Sequence, residues 1–142
     1  MIARDTGGGR SFKGAGLYYL HDRNAQTDER VAFTHTENLL TADAEKSLRV
    51  MAWTAQHQAD LKAAAGVKAT GRKLEKPVHT FMLSWAPGEE PDHAHMIEAA
   101  KSAMAALDLT EHEALYVGHD DTDKRHIHII VNRVHPENGK AA

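Results

Sequence analysis

From His126 to Val134 the chain reads His-Ile-His-Ile-Ile-Val-Asn-Arg-Val, an alternation too regular for a loop. In an extended strand, side chains at i, i+2 and i+4 share a face. His126, His128, Ile130 and Asn132 therefore point one way, and Ile127, Ile129, Val131 and Arg133 the other. The β-branched residues favour a strand independently of that pattern. A second apolar run, Ala114 to Gly118, is closed by His119. Between the two runs lies Asp120 to Arg125, polar and turn-forming, so the segment reads as a hairpin with a long loop. A hairpin returns His119 to the side of His126 and His128.

The rest of the chain supplies the other elements. Thr41 is expected to cap a helix with Asp43 and Glu45 in its first turn. Leu48, Met51, Ala52, Ala55 and Ala59 recur there at helical steps, Trp53 is assigned to the core, and Gly66 is a natural stop. Pro77 to Trp85 is a strand with His79, Phe81, Leu83 and Trp85 on one face. Pro91 and Asp92 open a second helix that runs to about Leu107, with Met96, Ala99, Ala100, Ala103, Met104 and Leu107 as its apolar stripe. Val31 to Thr36 is a short strand, expected beside Tyr18 and Tyr19. Glycine-rich residues 1 to 16 read as a flexible arm, and Val67 to Lys76 as a mobile basic loop. The sum is one α+β domain over residues 1–142, with a central antiparallel sheet, helices packed on one face, and the other face free for a site.

Composition narrows the chemistry. With no cysteine, disulfides and thiolate ligands are excluded, so a bound metal must use imidazole, carboxylate or water. No apolar run is long enough to cross a bilayer and no signal-peptide pattern opens the chain, which makes a cytoplasmic location the expectation. The formal net charge of −3 argues against coating duplex DNA by charge alone. Local basic clusters remain, at Arg4, Arg10 and Lys13 and at Lys68, Arg72, Lys73 and Lys76. The chain stops soon after its most chemical segment, as expected of an N-terminal piece of something longer.

Three imidazoles without thiolates suit a divalent cation. Mn²⁺ or Mg²⁺ fits if a phosphate adds oxygen ligands, and Zn²⁺, Ni²⁺ or Co²⁺ is compatible. Asp121, two residues past His119, is placed to hydrogen-bond a ligating imidazole or to act as a base. A cation on the non-bridging oxygens of a phosphodiester would let a tyrosine hydroxyl attack phosphorus, with Tyr18 and Tyr19 as candidates. A histidine-ligated hydrolase or oxygenase acting on a small molecule is the rival reading, and there the tyrosines would be dispensable.

The segment His119-x-Asp121 followed by His126-Ile-His128-Ile-Ile-Val-Asn132-Arg-Val resembles the three-histidine motif of conjugative relaxases, the plasmid mobilisation nucleases of the HUH endonuclease group. Ser11-Phe-Lys-Gly-Ala-Gly-Leu-Tyr-Tyr-Leu20 is similar to that family's N-terminal tyrosine motif, and Phe81 to Pro91 to its middle strand and turn. The resemblance implies an HUH-type fold and metal-dependent, strand-specific DNA nicking at a plasmid transfer origin. A 5′-phosphotyrosyl link would form and a free 3′ hydroxyl would be left. It implies Tyr19 as nucleophile, since Leu20 follows it, with Tyr18 in reserve. His119, His126 and His128 become metal ligands and Asp121 a supporting residue or base. Arg10, Lys13, Arg72, Lys73 and Asn132 become expected DNA contacts, with Phe12, Tyr18, Trp53 and Trp85 as candidate base-stacking platforms, of which Trp53 is assigned rather to the core. Its implied partners are single-stranded origin DNA, relaxosome accessory proteins and the conjugation machinery. A replication-initiation endonuclease of the same group is the alternative within this class.

Overall fold

The two apolar runs near the C-terminus lie side by side in an antiparallel sheet. The computed structural model describes residues 1–20, 31–68, 71–120 and 123–142. The strands are β1 (Ile2–Gly9), β2 (Val31–Glu37), β3 (Val78–Ser84), β4 (Ala114–His119) and β5 (His126–Asn132), in the order β1-β3-β5-β4-β2 with every neighbouring pair antiparallel. The helices are α1 (Phe12–Leu20), α2 (Ala44–Gln56), α3 (Gln58–Ala64) and α4 (His93–Ala106). The expected α+β class and central antiparallel sheet are thus what the chain forms.

Helices cover both faces of the sheet rather than one. Along β5, Ile127, Ile129 and Val131 pack with Met96, Ala100 and Met104 of α4. Ile130, with Leu115 and Val117 of β4, packs with Phe12 and Tyr19 of α1 and Leu48 and Met51 of α2. The physical reason lies in the strands themselves. Both faces of β4 and β5 carry apolar residues, and every residue of β4 is buried. An uncovered face would leave that surface in water at roughly 25 cal/mol per Å². The histidine face is therefore roofed by α1 and α2, and the site opens at one end of it.

Several local expectations change. Residues 2–9 are not a loose arm but an edge strand paired with β3. Its side chains are almost all exposed, so no alternation announces it. The strand β2 pairs with β4, not with the tyrosine segment, which is helical. Ser11 Oγ accepts from the Gly14 amide at 2.9 Å and so caps α1. Asp43, not Thr41, caps α2 by accepting from the Lys46 amide at 2.8 Å. Leu107 caps α4 and is 51% exposed instead of joining its stripe. The basic stretch is pinned at Leu74, whose amide and carbonyl both bond the buried Gln58 side chain.

Candidate metal centre and its surroundings

Register brings the three histidines together. In an antiparallel pair, directly opposed residues share a face. His119 opposes His126, and Val117 opposes His128, so His128 sits diagonally from His119 on that face. One ligand atom from each of the three lies within 4.8 Å of the others. His119 is buried, His128 nearly so, and His126 half-exposed at the mouth.

The hydrogen bonds fix what these rings offer. His119 Nε2 lies 2.7 Å from the Tyr19 carbonyl oxygen, and His126 Nδ1 lies 3.0 Å from the Lys124 carbonyl oxygen. A carbonyl only accepts, so both of those nitrogens carry the proton in the neutral rings. His119 Nδ1 and His126 Nε2 then face each other at 3.1 Å, each with a lone pair. Two lone pairs repel unless a proton or a cation lies between them. At metal–nitrogen distances of about 2.1 Å, neighbouring ligands in octahedral or tetrahedral geometry stand roughly 3.0–3.4 Å apart. The donor set fits a divalent cation, with the His119 and His126 rings each oriented from behind by a backbone carbonyl and the His128 ring stacked on Tyr19.

The phenols stand beside this centre. The Tyr19 ring stacks on His128, with centroids 4.0 Å apart and planes 22° off parallel, and is buried. The Tyr18 ring lies edge-on to Tyr19 at 5.2 Å and is 69% exposed. Successive helical residues diverge by about 100°, which is why one tyrosine turns inward and the other out. Both line a groove of about 360 Å³ between α1 and β1, walled by small residues such as Gly8, Gly14 and Ala15. Across the sheet, Arg4 opposes Met82, which opposes His128, so Arg4 stands on the histidine face two strands away.

Other expected site residues lie in several separate places. Arg10, Lys13 and Lys73 converge on a neighbouring groove of about 470 Å³, where Arg10 pairs with Glu75 at 3.3 Å. Arg72 is exposed and lies outside its lining. Asn132 is fully buried at the other end of β5, where its amide donates to the Met51 carbonyl at 3.0 Å and to Glu113 at 3.1 Å. Its side chain ties α2 to the hairpin. Of the expected stacking platforms, Phe12 and Trp85 are buried, while Trp53, expected in the core, is 54% exposed. Its position off the Leu48–Met51–Ala52–Ala55 stripe was the signal for that. Asp121 lies outside the described residues.

A sheet-borne cluster of three imidazoles, with a phenol stacked on one of them, gives this α+β domain a donor set that could hold a divalent cation. The chain belongs to the relaxase family described as MobA/VirD2-like, nuclease domain, which matches residues 18–142. Protein MobA of Acidithiobacillus ferrooxidans is 42% identical over 60 residues, covering 42% of this chain and 15% of that protein. Two TraI proteins of Escherichia coli are 34% and 33% identical over 67 residues, covering 47% of this chain and 9% of each. The matched segments thus span a small part of these relatives. No solved structure gives a significant match. Among the described residues, no helix is long and apolar enough to cross a membrane.

Proposed function

We propose that this domain nicks one strand of DNA at a plasmid transfer origin, with Tyr19 as nucleophile and His119, His126 and His128 holding a divalent cation, Mn²⁺ or Mg²⁺ in the first place. The observation that carries the reading is the link between phenol and ligands. Tyr19 stacks on His128 and, through its own carbonyl, holds His119. Nucleophile and ligands then share one rigid unit, as a step that depends on placement within about 0.5 Å requires.

When bound, the cation supplies Lewis-acid polarisation of the phosphate and neutralises charge that builds up in the transition state. The chain supplies the rest. The Tyr19 hydroxyl attacks phosphorus, its O–P bond forms, and the bond from phosphorus to the 3′ oxygen breaks. The phenolic proton is taken up by a base or solvent, Asp121 being the candidate base, and the departing 3′ oxygen gains one to leave as a hydroxyl. The groove walled by Gly8, Gly14 and Ala15 admits a backbone close to the phenol. Tyr18, turned outward, is suited to contacting the strand rather than attacking it.

The test incubates the domain with single-stranded transfer-origin oligonucleotides and Mn²⁺ or Mg²⁺. A protein–DNA adduct that survives denaturant should form, vanish with chelator, and be absent in Tyr19→Phe while persisting in Tyr18→Phe. Adduct formation that survives Tyr19→Phe and is lost in Tyr18→Phe would move the role to the outer phenol. Cleavage without any protein-linked end would overturn the mechanism.

A further inference from the structure

We infer that Trp53 and the basic groove beside it form a second subsite for single-stranded DNA, in which a base stacks on the indole at a distance from the reacting phosphate. This rests on the nucleic-acid reading of the tyrosine site and extends it to a different surface, the outward side of α2.

Three observations carry it. The first is an aromatic held in the open. Trp53 is 54% exposed, and the His57 ring lies against it at 4.1 Å and 17°. His57 Nδ1 donates to the Trp53 carbonyl at 2.8 Å, which fixes that imidazole and gives the indole a rigid backing. A large apolar side chain exposed at rest but already ordered meets a flat partner at little further cost in entropy.

The second is continuity. Arg10 and Ser11 line both the tyrosine groove and the basic groove, and Ala52 and Gln56 line the latter alone. Trp53 follows Ala52 in sequence and lies about one helical turn before Gln56, so on α2 it neighbours two of the residues that line this groove. The third is charge. Arg10, Lys13 and Lys73 line the groove, and Arg49, exposed four residues before Trp53, flanks the indole. Glu75 and Glu45 oppose them locally, and Glu75 is paired with Arg10. A polyanion whose bases present flat faces matches cations spaced between two aromatic positions. In a chain of net charge −3, cations so gathered mark a track rather than a general coat.

The two tryptophans make the test direct, because Trp85 is only 4% exposed and Trp53 dominates the accessible indole signal. The wild-type domain is titrated, without metal, with two origin strands: one short around the nick, and one extended by several nucleotides on either flank. The extended strand should quench the emission and shield it from acrylamide, and the short one should not. Trp53→Ala should lose about tenfold in affinity for the extended strand and little for the short one, with Trp53→Phe recovering part of the loss. Unchanged emission at saturation, or an equal loss on both strands, would overturn the subsite. Adduct formation by the wild-type domain on the short strand reports separately on the tyrosine mechanism, so the two readings fail independently.

Discussion

Glu113 is the buried acid that the site does not use. It accepts from Thr54 Oγ1 and the Asn132 amide, both at 3.1 Å, and burial pushes its carboxyl above the ordinary 4.5 despite those bonds. Its neighbour His112, bonded to the Asn132 carbonyl at 2.7 Å, is lowered below 6.5, again chiefly by burial. A carboxyl raised in the folded state contributes stability at pH below about 4.5 that is lost as pH rises through its folded value. A lowered imidazole contributes stability above about 6.5 that is lost as pH falls through its folded value. Glu113→Gln keeps the volume and can still accept from Asn132. It should therefore raise the melting temperature more at about pH 8 than at about pH 5, as followed by circular dichroism. An equal shift at both values would mean that burial of charge is not what Glu113 costs. At this scale the sequence was a partial guide. Alternation put Asn132 on the histidine face correctly but could not say that α2 covers that end, and so a residue of the core read as a DNA contact.

Among the elements, α1 shows where sequence reasoning runs out. Phe-Lys-Gly-Ala-Gly-Leu-Tyr-Tyr-Leu contains two glycines and no clear stripe, and a strand was as plausible on the page as a helix. Tertiary packing decides it. A Cβ on Gly16 would fall against the Leu48 side chain of α2, so the glycine sets how closely the two helices approach. Gly16→Ala gains up to about 1 kcal/mol of helix propensity, against roughly 1–3 kcal/mol for overpacking. The expected result is a lower melting temperature and, because Tyr19 lies one turn further along, a reduced yield of covalent adduct. An unaltered or higher melting temperature would show that the contact is slack. The strands were easier to read, since β3, β4 and β5 bury apolar residues in a period that local sequence carries. By contrast, β1 owes its form to pairing with β3, some seventy-five residues away, which no window of sequence contains.

For the molecule as a whole, the site is a joint between layers. His119, His126 and His128 come from the sheet, while the carbonyl that orients His119 comes from a helix packed on it. Cation binding should therefore stabilise the entire fold. At about one hundred times the dissociation constant the gain is roughly 2.7 kcal/mol, or about 5–10 °C in melting temperature for a chain of this size. A scan with Mn²⁺ should show that shift, chelator should reverse it, and His126→Ala, which removes the half-exposed ligand, should abolish it. Stabilisation that persists in His126→Ala would place the cation elsewhere. The sequence made the histidine trio legible because strand period and hairpin return are both local. The two-sided cover of the sheet was not, since it depends on which distant helix reaches which face. The strand order has a consequence for biosynthesis. The outermost strands, β1 and β2, leave the ribosome first, and β5, between β3 and β4, leaves last. Until residues 126–132 emerge, the earlier strands have no central partner and the growing chain holds open edges that invite pairing with other chains. Protection by a chaperone is most needed during that interval, and arrival of the last strand joins both halves and brings the three histidines together in the same event.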